Sequence, residues 1–347
     1  MNTWPATPGS DPETKTKGNR DMNVLILTAG SRVQTVTYFK RALAGRGRVI
    51  TTDASELAPA LYAADGHHVV PLINDPDYLP TILRICRDEE ISVALSLLDP
   101  ELSLLAKHVD EFEAIGTKVM ISPAEVVERA FDKWVMYQWL TTEGLPTPRS
   151  WIDLETCHAD LNAGVAQFPL FVKSRTGSAS AGIARIDSRT ELDAAFAATS
   201  GLIIQEFLPG EPVDVDVYVD MISGNVAAMF AKKKLRMRAG TADKSVSFKD
   251  DSLFALVEDF VTRCGFRGTI DVDLFSTPEG WSILEVNPRF GGVYPHAYEC
   301  GVDFPSLLLN NVAGKVNEPR IGDYESDWAM LGYDGVIMHR IEGLSER

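Results

Sequence analysis

Cysteine is scarce: Cys86, Cys157, Cys264 and Cys300 are the four in 347 residues. No two stand at CxxC or metal-ligand spacing, so the expectation is free, buried thiols in a reducing cytoplasm. No apolar run approaches the ~18–20 residues of a membrane-crossing helix, so no membrane association is expected. Positive charge is short, with 33 Lys and Arg against 49 Asp and Glu and a net charge of −16. Such a surface repels a phosphate backbone and argues against nucleic-acid partners, while local basic clusters leave a small anionic substrate open. Internal repeats, a GxGxxG fingerprint and a GK[ST] loop are missing. None of the six histidines joins a Ser/His/Asp or Cys/His constellation. Residues 1–21 are polar and lack a signal peptide's apolar stretch, and read as a disordered leader.

What is present suits a soluble globular chain of about two domains. Short apolar runs at Val24–Leu27, Val49–Thr52, His68–Pro71, Val93–Leu98 and Val119–Ile121 alternate with helical patterns at 33–44 and 78–89. That alternation predicts an α/β domain with a parallel, doubly wound sheet over residues 22–121. Ser122-Pro123-Ala124-Glu125 reads as a capping box opening a helix that runs to Gly144. From there to about residue 320 the pattern changes to an α+β domain. It has strands at 168–173 and 202–207, hairpins at 213–231 and 269–286, and a helix at 252–264. Residues 321–347 are taken as a C-terminal extension.

Chemistry concentrates in the second half. Asp273 lies on one hairpin strand, and Glu285 and Asn287 lie two apart on the next, hence on one face. Two carboxylates and an amide oxygen are hard ligands suited to Mg²⁺, with Mn²⁺ as a substitute. Arg289 keeps its proton and suits charge developing on a transferred phosphoryl group. Lys173 precedes the small-residue run Ser174 to Gly182, whose backbone permits close approach of N–H groups to phosphate oxygens. Taken alone, that run reads equally as a flexible turn. Gln205-Glu206-Phe207-Leu208-Pro209-Gly210-Glu211 reads as an edge strand running into a turn, able to meet an adenine edge, with Glu211 on the ribose. Arg32, Asp99 and Glu101 sit at strand C-terminal ends, where open α/β sheets gather ligands. Lys232 to Gly240 is a basic segment that either contacts phosphate or substrate or is simply solvated.

Together, Asn23-Val-Leu-Ile-Leu-Thr-Ala-Gly-Ser-Arg32, Asp132-Lys133, Gly144-Leu-Pro-Thr-Pro148, Phe171-Val-Lys-Ser-Arg-Thr-Gly-Ser-Ala-Ser180 and Leu284-Glu-Val-Asn-Pro-Arg-Phe-Gly-Gly292 resemble the ATP-grasp superfamily. The pattern is similar to stand-alone proteins that look like half of the carbamoyl-phosphate synthetase large subunit. The resemblance implies a two-part ATP-grasp domain over 122–320 that clamps ATP with Mg²⁺. Carried over residue by residue, it places Lys133, Lys173, Ser178, Ser180, Gln205, Glu206, Phe207, Leu208 and Glu211 at the nucleotide. Asp273, Glu285 and Asn287 fall at the metal, and Arg289 at the transferred group. Arg236 and Arg238, with Arg32, Asp99 and Glu101, become substrate candidates; Arg236 stands where related sequences often carry an acid. The implied reaction joins a small carboxylate to an amine through an acyl phosphate, releasing ADP and phosphate, in a cytoplasmic protein that could form a homodimer. The competing readings are a nucleotide-binding module without turnover, a carboxylate or carbamate kinase of the same fold, and an NAD-dependent Rossmann enzyme, which lacks its glycines here.

Overall fold

A computed structural model describes residues 22–177, 184–238 and 241–340. The chain opens with β1 (Asn23–Leu27), α1 (Val33–Leu43), β2 (Val49–Asp53), β3 (Gly66–Val69), α2 (Tyr78–Asp88), β4 (Ile91–Ser96), α3 (Asp99–Lys107), α4 (Val109–Glu113) and β5 (Lys118–Val119). The five strands form one parallel sheet in the order β3-β2-β1-β4-β5. The order reverses at β1, so a crevice opens where β1 and β4 both end. Arg32 and Asp99 follow those two strands. β3 lies two residues earlier than its apolar run suggests. It is an edge strand with alternating burial, so pairing with β2 rather than hydrophobicity fixes its span.

α5 (Ala124–Phe131) and α6 (Lys133–Thr142) replace the single helix expected up to Gly144. Asp132 breaks it. Its side chain accepts from the Trp134 and Val135 N–H groups and caps α6, while Arg175 grips the same carboxylate. The expected capping box does not form, and no side chain caps α5. The Ser122 hydroxyl instead donates to the Arg267 carbonyl and accepts from its N–H.

β6 (Ser150–Trp151), α7 (Leu154–Asn162), β7 (Leu170–Ser174), β8 (Ala184–Ile186), α8 (Arg189–Ala198) and β9 (Leu202–Glu206) form a small antiparallel sheet, β6-β9-β7-β8. β10 (Glu211–Val219), β11 (Val226–Arg238), β12 (Thr241–Phe248), α9 (Asp251–Cys264), β13 (Gly268–Thr277), β14 (Gly280–Asn287), α10 (Tyr294–Glu299), α11 (Phe304–Val312), β15 (Arg320–Ile321) and β16 (Ala329–Leu331) follow. The large sheet runs β14-β13-β10-β11-β12-β16, with β15 beside β11. The C-terminal segment thus contributes strands of its own.

Along β10, Val213, Val215 and Val217 are fully buried in the core, and the alternate Asp214 and Asp216 take the opposite face. α1 locks the first sheet to the rest. Phe39 meets Phe290 edge-on at 5.8 Å, and Tyr38 stacks on Tyr298 at 3.6 Å. Among the described residues no helix is long and apolar enough to cross a membrane.

Candidate active site

A cavity of about 1370 Å³ lies between the two sheets of the second half and the crevice of the first. Lys133, Lys173, Asp273, Glu285, Asn287 and Arg289 all line it. Their convergence starts from strand register. Asp273 pairs directly opposite Glu285, and Asn287 lies opposite Asp271 on the same two strands. Lys173, near the end of β7, reaches across to Glu285 at 3.6 Å, and Lys133 reaches it at 3.3 Å. Lys133 is also held by the Gly177 carbonyl at 2.6 Å. It occupies the first position of α6, whose first turn carries no acid. The positive end of that helix is already met by the Asp132 carboxylate, so what Lys133 offers the cavity is its own ammonium charge.

Lys173 is only 6% exposed. Burial draws its pKa below the usual lysine range, and Glu285 pulls the other way. Lys234 pairs with Asp273, and Lys232, wholly buried, with Asp216 and with Asp214 at 3.4 Å. For Lys234 burial works against the charge, but Asp273 and Asp214 outweigh it and hold the pKa above the ordinary value. Asp271 is pushed well above the carboxylate range by burial and by Asp214. Gly291 makes this packing possible: a Cβ there would lie 2.7 Å from Asp271 Oδ1 and 3.0 Å from Asp216 Oδ1.

Oxygens of Asp214, Asp216 and Asp271 lie within 4.8 Å of one another. The Lys232 ammonium already supplies the cation there. The trio Asp273, Glu285 and Asn287 differs, because it faces the cavity with three hard oxygen donors and fits Mg²⁺. Its present counter-charges are flexible lysines that can move onto phosphates.

Other expected residues fall elsewhere. Glu211 is exposed and pairs with Lys233 at 3.1 Å, away from the cavity lining. β9 is an inner strand, with β6 on one side and β7 on the other, so it is not the expected edge. Gln205 is buried and donates to the Ser150 hydroxyl. Glu206 accepts from the Arg149 N–H at 3.2 Å. Phe207 stacks near Phe171 at 5.4 Å, and Leu208 is half-buried. None of these five lines the cavity. Ser178 and Ser180 lie outside the described residues.

Arg236 is exposed and outside the lining, because a register shift in β11 after Lys234 turns it away. Arg238 does line the cavity, but Asp334 grips it through two hydrogen bonds of 3.0 and 2.8 Å. Asp99 is a structural partner rather than an open ligand: its Oδ2 accepts from Arg289 Nε at 3.2 Å and Nη2 at 3.1 Å. His296 sits buried between the Ser245 hydroxyl and the Trp328 carbonyl. Residues 328–333, beyond any motif legible in sequence, form a further wall of the cavity.

Glu101 is fully buried and off the cavity. The Ser96 hydroxyl donates to it, and burial pushes its carboxyl up to about 8, with a Thr28 contact opposing and Asp53 adding. The folded state therefore keeps this proton to higher pH than the unfolded chain. The associated stability is present below the ordinary value of 4.5 and is lost as pH rises through about 8. Glu101→Gln should flatten the wild-type loss, about 2–4 kcal/mol between roughly pH 5 and 8, in urea melts. Parallel pH profiles for the two proteins would contradict this.

Residues 24–120 match the model of the PylC-like N-terminal domain, and residues 130–293 match that of the ATP-grasp domain. The chain thus joins an ATP-grasp domain to a PylC-like N-terminal domain. Among particular relatives, D-alanine–D-alanine ligase of Mycobacterium avium is 30% identical over 177 residues, covering 42% of this chain and 47% of the relative. The 3-methyl-D-ornithine–L-lysine ligase of Methanosarcina mazei is 27% identical over 192 residues, covering 54% and 46%. The chain spans about half the length of these curated relatives. The fold is that of the Hydrogenobacter thermophilus 2-oxoglutarate carboxylase biotin carboxylase domain, solved with MgADP and bicarbonate. The TM-score is 0.71 at 17% identity, over 88% of this chain and 73% of that one. It is also that of Staphylococcus aureus N5-carboxyaminoimidazole synthetase, with TM-score 0.68 at 17% identity, over 88% and 80%.

Proposed function

We propose that the chain is an ATP-dependent carboxylate–amine ligase working through an acyl phosphate. The observation that carries this reading is the meeting of Lys133, Lys173, Asp273, Glu285, Asn287 and Arg289 in one cavity. A carboxylate resists an amine because its leaving group would be oxide. Asp273, Glu285 and Asn287 would hold Mg²⁺, which would offset charge on the phosphates of ATP. Transfer of the γ-phosphoryl group from ATP to the carboxylate oxygen, with ADP as leaving group, turns that oxygen into part of a phosphate leaving group. Lys133 and Lys173 bind and orient the phosphates as they transfer from Glu285 to the nucleotide. Arg289, fixed by Asp99, offsets charge on the transferring group without having to move. The amine then attacks the acyl carbon, the C–O bond to phosphate breaks, and amide, ADP and phosphate leave.

Support comes from the ligases among the relatives, each named for joining one amino acid to another. ADP release measured across carboxylate–amine pairs tests the reading, and release is expected only when both partners are present. Release with the carboxylate alone would make the protein a kinase. Tight ATP binding with no release for any pair would make it a binding module.

A further inference from the structure

Seven cations line the cavity among the described residues, and six have acidic partners. Lys133 and Lys173 meet Glu285, Lys234 meets Asp273, Arg289 meets Asp99, Arg238 meets Asp334, and Arg41 meets Glu299 at 3.6 Å. Arg32 is the exception, with no ion pair or side-chain hydrogen bond among the described residues. Burial holds its pKa below the ordinary arginine range, and the neighbouring Arg289 charge lowers it further. A part-buried guanidinium with open donors is stabilised by an incoming counter-charge.

We propose that Arg32 seats the carboxylate of the substrate, so that the N-terminal unit selects the group to be activated. Three features favour a carboxylate. First, Arg32 precedes α1, whose first turn carries no acid and whose Gln34 and Thr35 also line the cavity. The free N–H groups of that turn add a positive end beside the guanidinium. Second, Asp271 and Asp99 are the acids that act on the Arg32 charge. Beside that acidic flank a carboxylate monoanion meets less repulsion than a phosphate dianion, which carries twice the charge. Third, Arg289 has committed Nε and Nη2 to Asp99 and Nη1 to the Phe290 carbonyl at 3.0 Å. Arg289 therefore offers charge but few donors, and Arg32 supplies the fork a carboxylate needs. The position beside Arg289 puts the seated group next to the machinery proposed for phosphoryl transfer. Arg32 is thus a binding and positioning residue that hands the carboxylate to that machinery.

The inference rests on the carboxylate-activating reading for what happens next, but binding tests it separately from turnover. Saturation-transfer NMR would be run on the full chain with Mg²⁺ and adenosine 5′-(β,γ-imido)triphosphate. The probes are the proteinogenic amino acids and their D forms, a set of simple mono- and dicarboxylates, the carboxamide of every hit, inorganic phosphate and ribose 5-phosphate. At least one carboxylate should bind, and its carboxamide should bind about 10- to 100-fold more weakly. Arg32→Met should weaken the carboxylate by a similar factor while leaving nucleotide affinity unchanged, and Arg32→Lys should fall between. Phosphate or ribose 5-phosphate binding in an Arg32-dependent way, with no carboxylate doing so, would overturn the proposal. So would hits indifferent to Arg32→Met, or a panel in which no carboxylate binds. Carboxylate binding without ADP release for any amine would leave the Arg32 seat standing and sink the ligase reading instead.

Discussion

Glu285→Gln is expected to lower turnover by about 10²- to 10⁴-fold while the protein stays folded. The side chain keeps its shape and loses its charge. In the structure that charge is the common partner of Lys133 at 3.3 Å and Lys173 at 3.6 Å, and it stands opposite Asp273 on the neighbouring strand. The neutral amide is a weaker ligand for Mg²⁺, so the metal is lost or displaced at ordinary concentrations. The two lysines also lose the group that keeps them parked when no nucleotide is bound. Glu285 is partly exposed, and Lys173, which loses this counter-charge, keeps Asp273 as a supporting charge, so the variant should lose some stability and remain folded. Activity and circular dichroism measured together check both halves of the expectation. Full turnover at ordinary Mg²⁺ would remove Glu285 from the metal set.

Arg289→Met should be the most destabilising change in the site, by about 3–5 kcal/mol. Arg289 is 8% exposed, and its guanidinium lies between Asp99 at 3.1 Å and Asp271 at 3.6 Å. Removing it leaves the buried Asp99 carboxylate without its cation. Asp99 follows β4 in the first sheet and Arg289 follows β14 in the last, so the loss also loosens the seam between the units. The double variant Arg289→Met with Asp99→Asn should recover part of the stability and none of the activity. Denaturant melts and ADP release on the three proteins separate the two roles. A double variant no more stable than the single one would show that the Asp99 pair is not the source of the loss.

Pairing of Asp273 with Glu285 was legible in the sequence because a hairpin register is local: a short turn brings residues twelve positions apart face to face. The parallel sheet was legible for a similar reason, since each buried strand is a short apolar run. The Arg289–Asp99 pair was not, because its members are 190 positions apart and meet only when the units pack. Lys234 was hidden by the basic run around it. Which of Lys232, Lys233, Lys234 and Arg236 faces inward depends on the β11 register and on the shift after Lys234. Ser122-Pro123-Ala124-Glu125 carried a helix-start pattern, but a tertiary partner, Arg267, took the serine. Asp132 looked like one residue in a helical stripe until Arg175, 43 positions on, fixed it as a break. The Lys233 that pairs with Glu211 lies across the strand pair, a partner that β10–β11 register sets and the sequence does not show.

The most direct test of the ligase mechanism is the fate of a carboxylate oxygen. With a substrate pair in hand, the carboxylate is labelled with ¹⁸O and the released phosphate is analysed by mass spectrometry. If a carboxylate oxygen attacks the γ-phosphorus and later leaves with it, each turnover transfers one ¹⁸O into inorganic phosphate. Label appearing in AMP, or unlabelled phosphate at full turnover, would contradict the acyl-phosphate route.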